Sequence, residues 1–175
     1  MASSNITPPK AWTAKLKERV DVPHSVELDS IERDAIDGAV PFAAEHARRY
    51  IATAGKDDGW EGPRPILLLY TTGRRSGGIR RNPLLYLEHE GERFVVGSKG
   101  GAAANPLWFL NLLDEPRVHV RVDADVYPAV AEVLSADERA HIWPILTQRY
   151  EMFGDYQART EREIPLVRLR RMDSR

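Results

Sequence analysis

A basic, glycine-rich segment at residues 71–83, TTGRRSGGIRRNP, has the strongest chemical character in the chain. Between residues 71 and 81 it contains no acidic residue and four arginines: Arg74, Arg75, Arg80 and Arg81. Guanidinium groups bind phosphate or carboxylate through paired hydrogen bonds, and the hydroxyl of Ser76 adds a donor. Because the segment joins two predicted strands, we expect a long hairpin loop that binds an anion, with a solvated basic turn as the alternative. It lacks the Gly-Lys-Ser/Thr ending of a Walker loop.

A second segment of small residues, GSKGGA at residues 97–102, separates a predicted strand from a helix. Asn105 and Pro106 predict the N-cap and the first residue of that helix. The ammonium of Lys99 and the free N–H groups of a helix start both favour an anion. Alone, this segment is equally typical of a flexible link. Two anion-favouring loops beside adjacent strands predict one binding groove.

Aromatic and polar side chains on two further segments could form the walls of a pocket. The predicted helix at residues 107–113 carries Trp108 and Asn111, and this amide either faces solvent or donates to a ring carbonyl. Residues 150–157 carry Tyr150, Phe153 and Tyr156, and a tyrosine hydroxyl can donate a hydrogen bond or a proton. Core packing is the alternative function of both segments.

Other kinds of chemistry have no support in the sequence. The five histidines show no metal-ligand spacing, and we predict no metal site. The chain has no cysteine, which excludes disulfides, iron–sulfur ligation and a thiol nucleophile. There is no Gly-x-Ser-x-Gly elbow, and acidic pairs such as Asp57-Asp58 lie in a predicted loop.

Hydrophobic periodicity and turn residues predict the elements that position these candidates. Helices are expected at residues 12–20, 41–53 and 107–113, and from the capping box of Ser135 and Glu138 toward Tyr150. Strands are expected at residues 66–70, 83–88, 93–98, 118–122, 126–134 and 165–169. The sequence HEGE at residues 89–92 predicts a hairpin turn, and Pro128 predicts an edge position or a bulge. Paired strands with inserted helices favour an α+β fold with an antiparallel, barrel-like sheet.

Length and composition predict one globular domain. The chain has 175 residues, 42% of them hydrophobic, and a formal net charge of −1. We expect a partly ordered N-terminal extension at residues 1–38 and a single domain at residues 39–175. No stretch approaches the roughly 20 apolar residues of a membrane span. The polar N-terminus lacks the core of a signal peptide, so a cytoplasmic location is expected.

Four motifs occur in a fixed order: LLYTTGRRSG at residues 68–77, RRNPL at 80–84, SKGG at 98–101 and NPLWFLNL at 105–112. Together they resemble the actinobacterial family of deazaflavin (coenzyme F420)-dependent nitroreductases and quinone reductases. The similarity continues through ERA at residues 138–140, WP at 143–144, DYQ at 155–157 and residues 160–165.

The resemblance implies a split β-barrel that binds the deazaflavin in a groove. The ring system would lie near Ser98, Trp108 and the aromatic segment, and the tail, a phosphodiester carrying glutamates, would follow the basic segment. The implied coenzyme contacts are Arg74, Arg75, Ser76, Arg80, Arg81, Asn82, Pro83, Leu84, Val96, Gly97, Ser98, Lys99, Leu107, Trp108, Phe109, Leu110 and Asn111.

The implied reaction is hydride transfer from the reduced coenzyme to a quinone, an activated enone or a nitroaromatic compound. The implied substrate pocket comprises Ser98, Tyr150, Phe153 and Tyr156, and its candidate catalytic residues are Ser98, Tyr150 and Tyr156. Phe153 stands where nitroreducing members of the family carry a tyrosine. Phenylalanine donates no proton, so quinone or enone reduction is expected at least as much as nitroreduction.

Three other functions fit parts of the sequence. A split-barrel reductase could use FMN, although one phosphate requires fewer cations. A non-catalytic protein could bind the deazaflavin or a lipophilic ligand. A nucleic-acid-binding module would use the basic loop, but the chain has no recognition motif for DNA or RNA. The expected partner is a small-molecule electron acceptor, with no nucleic acid and no transmembrane segment; peripheral membrane contact is left open. The chain is expected to be a monomer or a homodimer.

Overall fold

The computed structural model describes residues 24–38, 41–57 and 64–172. The helices in these ranges are α1 (His24–Asp34), α2 (Pro41–Ala52), α3 (Leu107–Asp114), α4 (Ala136–Arg149) and α5 (Met152–Ala158). The strands are β1 (Ile36–Asp37), β2 (Ile66–Thr72), β3 (Ile79–His89), β4 (Glu92–Val96), β5 (Arg117–Val122), β6 (Asp125–Val133) and β7 (Leu166–Arg171). A short turn with two backbone bonds of the i to i+3 type spans Lys99–Gly101. The helix expected at residues 12–20 lies outside the described residues.

Six strands form a closed antiparallel barrel. The strands follow one another around the barrel in the order β3, β2, β5, β6, β7 and β4. Strand β4 also pairs with β3, which closes the ring. The predicted hairpin turn joins β3 to β4 at Glu90 and Gly91. The two-residue strand β1 lies outside the ring and pairs in parallel with β3, with Ile36 opposite Arg80. The expected α+β fold with an antiparallel barrel is confirmed.

The barrel interior is one continuous apolar core. Successive side chains of a strand point to opposite faces, so Leu67 and Leu69 of β2 lie in this core together with Val120 of β5. Helix α3 packs into the same core, where Phe109 and Leu112 are fully buried. Burial of each such side chain contributes about 1.5–3 kcal/mol. The helix is therefore fixed against the barrel, and so are the loops at its two ends.

Two helical layers cover the outer face of the barrel. Helices α1 and α2 cover β2, where Ile31 and Tyr50 pack against Leu68 and Tyr70. Helices α4 and α5 form the second layer over β3, β4 and β7. The aromatic segment at residues 150–157, which was predicted to line a pocket, belongs to this second layer.

Two predicted features of the strands differ from the structure. Strand β3 begins at Ile79 rather than at residue 83, so the hairpin loop after β2 spans only residues 73–78. Strand β6 lies between β5 and β7, so the edge position predicted from Pro128 is wrong. Pro128 pairs with His119 and lies just beyond the β7 ladder, which begins at Ala129, so its missing N–H interrupts no bond to β7.

Of the two helix N-termini predicted from the sequence, one is confirmed and the other is wrong. The capping box of α4 is confirmed: Ser135 Oγ accepts from the N–H of Glu138, and Glu138 Oε2 accepts from the N–H of Ser135. The N-cap predicted at Asn105 is wrong, because Pro106 occupies that position and no side chain caps α3. Within the described ranges, no helix is long and apolar enough to cross a membrane.

Candidate functional site

The basic loop is a tight turn whose cationic side chains face solvent. The N–H of Gly73 donates to Gly78 O at 2.8 Å, and the N–H of Gly77 donates to Gly73 O at 2.7 Å. Arg74 and Arg75 are exposed, and within the described ranges no carboxylate forms an ion pair with either. Two exposed guanidinium groups on a fixed turn can bind an anion without first breaking an internal salt bridge.

Strand alternation divides the four arginines that the sequence grouped together. Arg80 Nη2 donates to Ser76 Oγ at 3.4 Å, so the Arg80 side chain lies against the basic loop. Arg81 points to the opposite face of β3, where its Nε donates to Asp37 Oδ1 at 2.7 Å. The Arg81 side chain is only 9% exposed, so this ion pair is largely desolvated. Arg81 therefore stabilises the contact with β1, and the solvent-facing cationic cluster comprises Arg74, Arg75 and Arg80.

Asn111 joins the basic loop to α3. Its Nδ2 donates to Thr71 Oγ1 at 3.1 Å, and its Oδ1 accepts from the N–H of Arg74 at 3.2 Å. Asn111 is buried, and neither of the two interpretations of its amide from the sequence described this arrangement. The amide positions the start of the loop relative to the helix. Because both its oxygen and its nitrogen are hydrogen-bonded, burial of the amide stabilises that geometry.

The second loop contains a left-handed turn. Lys99 has φ +47°, followed by Gly100 at +63° and Gly101 at +81°. A Cβ atom on Gly101 would lie 2.5 Å from the carbonyl oxygen of Tyr156, so α5 approaches the turn too closely for any side chain there. The structure therefore brings Ser98 and Lys99 next to α5, although more than fifty residues separate the two segments in the sequence.

The three aromatic residues of the predicted pocket have different environments. Phe153 is only 4% exposed and packs edge-on between Tyr150, at 6.3 Å between ring centroids, and Tyr156, at 6.0 Å. The Tyr150 hydroxyl donates to the carbonyl of Tyr86 at 3.4 Å. No residue in the described ranges accepts from or donates to the Tyr156 hydroxyl. Of these two tyrosines, Tyr156 is therefore the one whose hydroxyl has no hydrogen-bond partner among the described residues.

The remaining predicted contacts range from exposed to buried. The exposed ones are Arg74, Arg75, Ser76, Lys99 and Leu107. The half-buried ones are Arg80, Asn82, Pro83, Leu84, Leu110, Tyr150 and Tyr156. The buried ones are Arg81, Val96, Gly97, Ser98, Trp108, Phe109, Asn111 and Phe153. Phe109 is fully buried in the barrel core, so its side chain stabilises the position of α3.

Arg162 is a residue of this region that was not predicted from the sequence as part of the site. It lies between α5 and β7, and its guanidinium donates four hydrogen bonds to residues 97–105. It lies in the stretch at residues 160–165 that resembles the family, but its function depends on backbone carbonyls and one amide about sixty positions away, which no local pattern indicates. Asp37, the partner of Arg81, was missed for the same reason.

The basic loop and the loop at residues 97–105 both lie at α3. Asn111 fastens the basic loop to this helix, and Asn105, just before the helix, is held by Arg162. Lys99 and Ser98 lie in the loop that leads into the helix, with α5 beside them. The two loops at α3 provide several cations and backbone donors, which suit a large anionic ligand.

Residues 43–170 match the family model described as F420H(2)-dependent quinone reductase. The chain belongs to this family. A Mycobacterium tuberculosis protein whose name assigns it provisionally to the F420H(2)-dependent quinone reductases is 41% identical over 112 residues, which cover 64% of this chain and 94% of the relative. A second relative from that species, named as an F420H(2)-dependent quinone reductase, is 33% identical over 113 residues, or 63% of this chain and 76% of the relative.

Solved structures of similar fold support the assignment to the F420H(2)-dependent quinone reductase family. One is described as an F420-H2 dependent reductase; it has a TM-score of 0.56 and 36% identity, covering 63% of this chain and 99% of that one. Another, described as a domain-swapped dimer, has a TM-score of 0.58 and 34% identity, covering 72% and 95% of the two chains. The predicted split β-barrel fold is confirmed.

As a member of the F420H(2)-dependent quinone reductase family, the chain is an oxidoreductase that depends on reduced coenzyme F420 and acts on quinone-like acceptors. The side chains at the site fit such a coenzyme, whose tail is a phosphodiester carrying glutamates. Arg74 and Arg75 are exposed cations with no carboxylate partner in the described part of the chain. A multiply anionic tail needs several cations, whereas the single phosphate of FMN needs fewer.

Proposed function

We propose that this protein reduces quinones with reduced coenzyme F420 bound across α3, between the basic loop and the loop at residues 97–105. The observation that carries the proposal is the pair of cationic loops fastened to one helix by Asn111 and by Arg162. The coenzyme supplies a hydride when it is bound. The protein contributes binding, orientation and a proton.

In this proposal, the coenzyme tail contacts Arg74, Arg75, Arg80 and Lys99. These side chains do not need to leave buried partners, so their charges are available to phosphate and carboxylate groups. Ser76 supports the loop from within, since its Oγ accepts from the N–H of Gly78 at 3.3 Å and from Arg80. By holding the tail, these side chains would orient the ring of the coenzyme near Ser98 and Trp108.

An acceptor that takes up a hydride becomes anionic, so a nearby donor must stabilise or protonate it. Tyr156 is proposed as this donor, because its hydroxyl has no partner among the described residues. The Ser98 hydroxyl is a second donor, on a residue that is 9% exposed. Tyr150 is assigned a supporting function, since its hydroxyl already bonds to Tyr86 O.

Quinones are the proposed physiological acceptors, and activated enones and nitroaromatic compounds are proposed as further substrates of the same site. Each accepts a hydride at an electron-poor carbon or nitrogen and needs the same donor. A non-catalytic coenzyme-binding protein would share the binding residues but would show no turnover.

The test is oxidation of the reduced coenzyme, followed by absorbance, with panels of quinones, enones and nitroaromatic compounds. We expect turnover that is fastest with quinones. The double variant Arg75→Glu/Lys99→Glu should weaken coenzyme affinity at least about ten-fold in a fluorescence titration, because two attractive charges become repulsive. The matched control is Arg170→Glu on an exposed site of β7. Unchanged affinity in the double variant would refute the tail site, and FMN binding with no F420 binding would refute the proposed coenzyme.

A further inference from the structure

Arg162 makes an unusual set of contacts for a charged side chain. Its Nε donates to Ala102 O at 2.8 Å, and its Nη1 donates to Asn105 Oδ1 at 2.8 Å. Its Nη2 donates to both Gly97 O, at 3.1 Å, and Ser98 O, at 2.7 Å. Four of the five N–H bonds of the guanidinium are therefore used, and all four acceptors lie in residues 97–105.

All of these acceptors are electrically neutral. Within the described part of the chain, no carboxylate lies within ion-pair distance of Arg162. Burial lowers the pKa of Arg162 from its ordinary value, but a guanidinium stays protonated under all physiological conditions. A positive charge without a carboxylate partner therefore lies directly beneath the loop that carries Ser98 and Lys99.

The contacts of Arg162 also determine where the neighbouring backbone donors point. In a trans peptide the carbonyl and the following N–H point to opposite sides, and the described chain contains no cis peptide. Because the carbonyls of Gly97 and Ser98 point at Arg162, the N–H groups of Ser98 and Lys99 point away from it. Neither N–H donates to an acceptor in the described ranges.

The loop needs an external support, because its backbone is strained at Lys99. A residue other than glycine at φ +47° adopts an unfavourable left-handed conformation, and such conformations persist only where the surroundings enforce them. Two backbone bonds stabilise the turn internally: Gly101 N to Ser98 O at 2.9 Å and Ala102 N to Lys99 O at 3.1 Å. Arg162 binds the carbonyl of Ser98 as well, and that of Ala102 at the other end of the turn.

We infer that Arg162 is a positioning residue for the coenzyme: it fixes residues 97–105 so that the N–H groups of Ser98 and Lys99 face the anionic ligand. This inference rests on the proposed function for the identity of the ligand. Through Asn105, the same guanidinium sets the distance between this loop and the start of α3, which carries Trp108. A preorganised loop does not lose conformational freedom on binding, so the affinity for the ligand is higher.

Lysine cannot replace arginine in this position. An ammonium is a single point with three donors, whereas the four acceptors here surround a planar fork. Arg162→Lys keeps the positive charge but removes the planar arrangement of donors, and Arg162→Ala removes both. Asn105→Ala is a milder change that removes only the bond to Nη1.

The test combines hydrogen exchange of the full-length protein without coenzyme, coenzyme titration by fluorescence, and thermal unfolding. For Arg162→Lys we expect faster exchange at the amides of Gly101 and Ala102 and a coenzyme Kd raised about ten-fold, equivalent to about 1.4 kcal/mol. The same titration of Arg162→Ala with millimolar methylguanidinium should recover part of the affinity. Methylguanidinium should have no effect on Arg75→Glu/Lys99→Glu. Arg170→Lys is the matched control, because Arg170 is exposed and pairs only with Glu132 among the described residues.

Each outcome decides a different part of the inference. Unchanged amide exchange in Arg162→Lys and Asn105→Ala would overturn the fixing of the loop. Faster exchange with unchanged coenzyme affinity would overturn the function in coenzyme binding. If the unmodified protein does not bind the coenzyme, the proposed function fails, whereas the exchange measurement still decides whether Arg162 fixes the loop. If Arg162→Lys does not fold, Asn105→Ala provides the same readouts with a smaller expected effect.

Discussion

At the scale of single residues, two tyrosines that look equivalent in the sequence are distinguished by their hydrogen bonds. Tyr150 donates to a backbone carbonyl, and the hydroxyl of Tyr156 has no partner in the described ranges. A proton donor for the reaction must be able to rearrange toward the acceptor, which an uncommitted hydroxyl does without breaking an internal bond. Tyr156 is therefore the stronger candidate.

Tyr156→Phe should lower the turnover number with quinones by at least about ten-fold and change coenzyme affinity little, since the ring and its packing against Phe153 are retained. Steady-state kinetics and a coenzyme titration of the same preparation separate the two quantities. Tyr150→Phe is the comparison and should lower turnover less. A fully active Tyr156→Phe protein would exclude this hydroxyl as the proton donor.

The resemblance to the family implies a tyrosine at position 153 in nitroreducing members, and the structure buries the ring of Phe153 in the outer hydrophobic layer. Phe153→Tyr should lower the free energy of unfolding by about 1–3 kcal/mol, because the new hydroxyl enters a packed region between two aromatic rings. We also expect no gain in nitroaromatic turnover. Denaturant unfolding and the substrate panel measure these effects. A stable variant with faster nitroreduction would show that position 153 contacts the substrate.

At the scale of elements, the features that depend on neighbours in the sequence were predicted correctly, whereas a feature that depends on distant partners was missed. The capping box of α4 and the turn between β3 and β4 involve neighbours in sequence, and both were predicted correctly. The start of β3 was missed because Arg80, Arg81 and Asn82 look like loop residues. They extend as a strand because β2 and β1 pair with them and because Asp37 neutralises Arg81, and no local pattern encodes those partners.

The capping box gives α4 a specific dependence on pH. The pKa of Glu138 is lowered, chiefly by the hydrogen bond from the N–H of Ser135 and further by Arg168. A folded-state pKa below the unfolded value of about 4.3 means that the stabilisation is present above that pH. It is lost as the pH falls through the folded-state pKa.

Glu138→Gln should therefore destabilise the protein near neutral pH, with a difference from the unmodified protein that shrinks as the pH falls below about 4.3. Denaturant unfolding at a series of pH values measures this difference. Asp137→Asn, an exposed change in the same helical turn, is the matched control, because Asp137 is not part of the capping box. A constant difference for Glu138→Gln across the pH series would contradict the assignment.

At the scale of the whole molecule, two ion pairs fasten residues 24–38 to the barrel. Glu32 of α1 bonds to Arg121 of β5 and accepts from the Tyr70 hydroxyl at 3.1 Å, and Asp37 binds Arg81. The division into an extension at residues 1–38 and a domain from residue 39 stays a prediction. The contacts of α1 and β1 nevertheless make residues 24–38 part of the packed structure that supports β3.

Asp37→Ala should lower the free energy of unfolding by about 3 kcal/mol, because it leaves the guanidinium of Arg81 buried without a counter-charge. The double variant Asp37→Ala/Arg81→Met should recover much of this loss, since it removes the uncompensated charge. Asp34→Ala is the control: its pair with Arg33 is mostly exposed, and its loss should cost less than about 1 kcal/mol. Equal losses for Asp37→Ala and Asp34→Ala would show that burial of the pair does not matter.

The sequence by itself determined the antiparallel α+β fold, the family and the presence of a cationic loop, because hydrophobic alternation, turn residues and motif order are local properties of the chain. Only the tertiary structure decided which of the four arginines face solvent, since strand alternation and Asp37 turn Arg81 to the other side of β3. It also revealed Arg162 as the support of residues 97–105. The physical reason is the same in both cases: a side chain's function depends on partners that folding brings close, and sequence distance does not limit those partners.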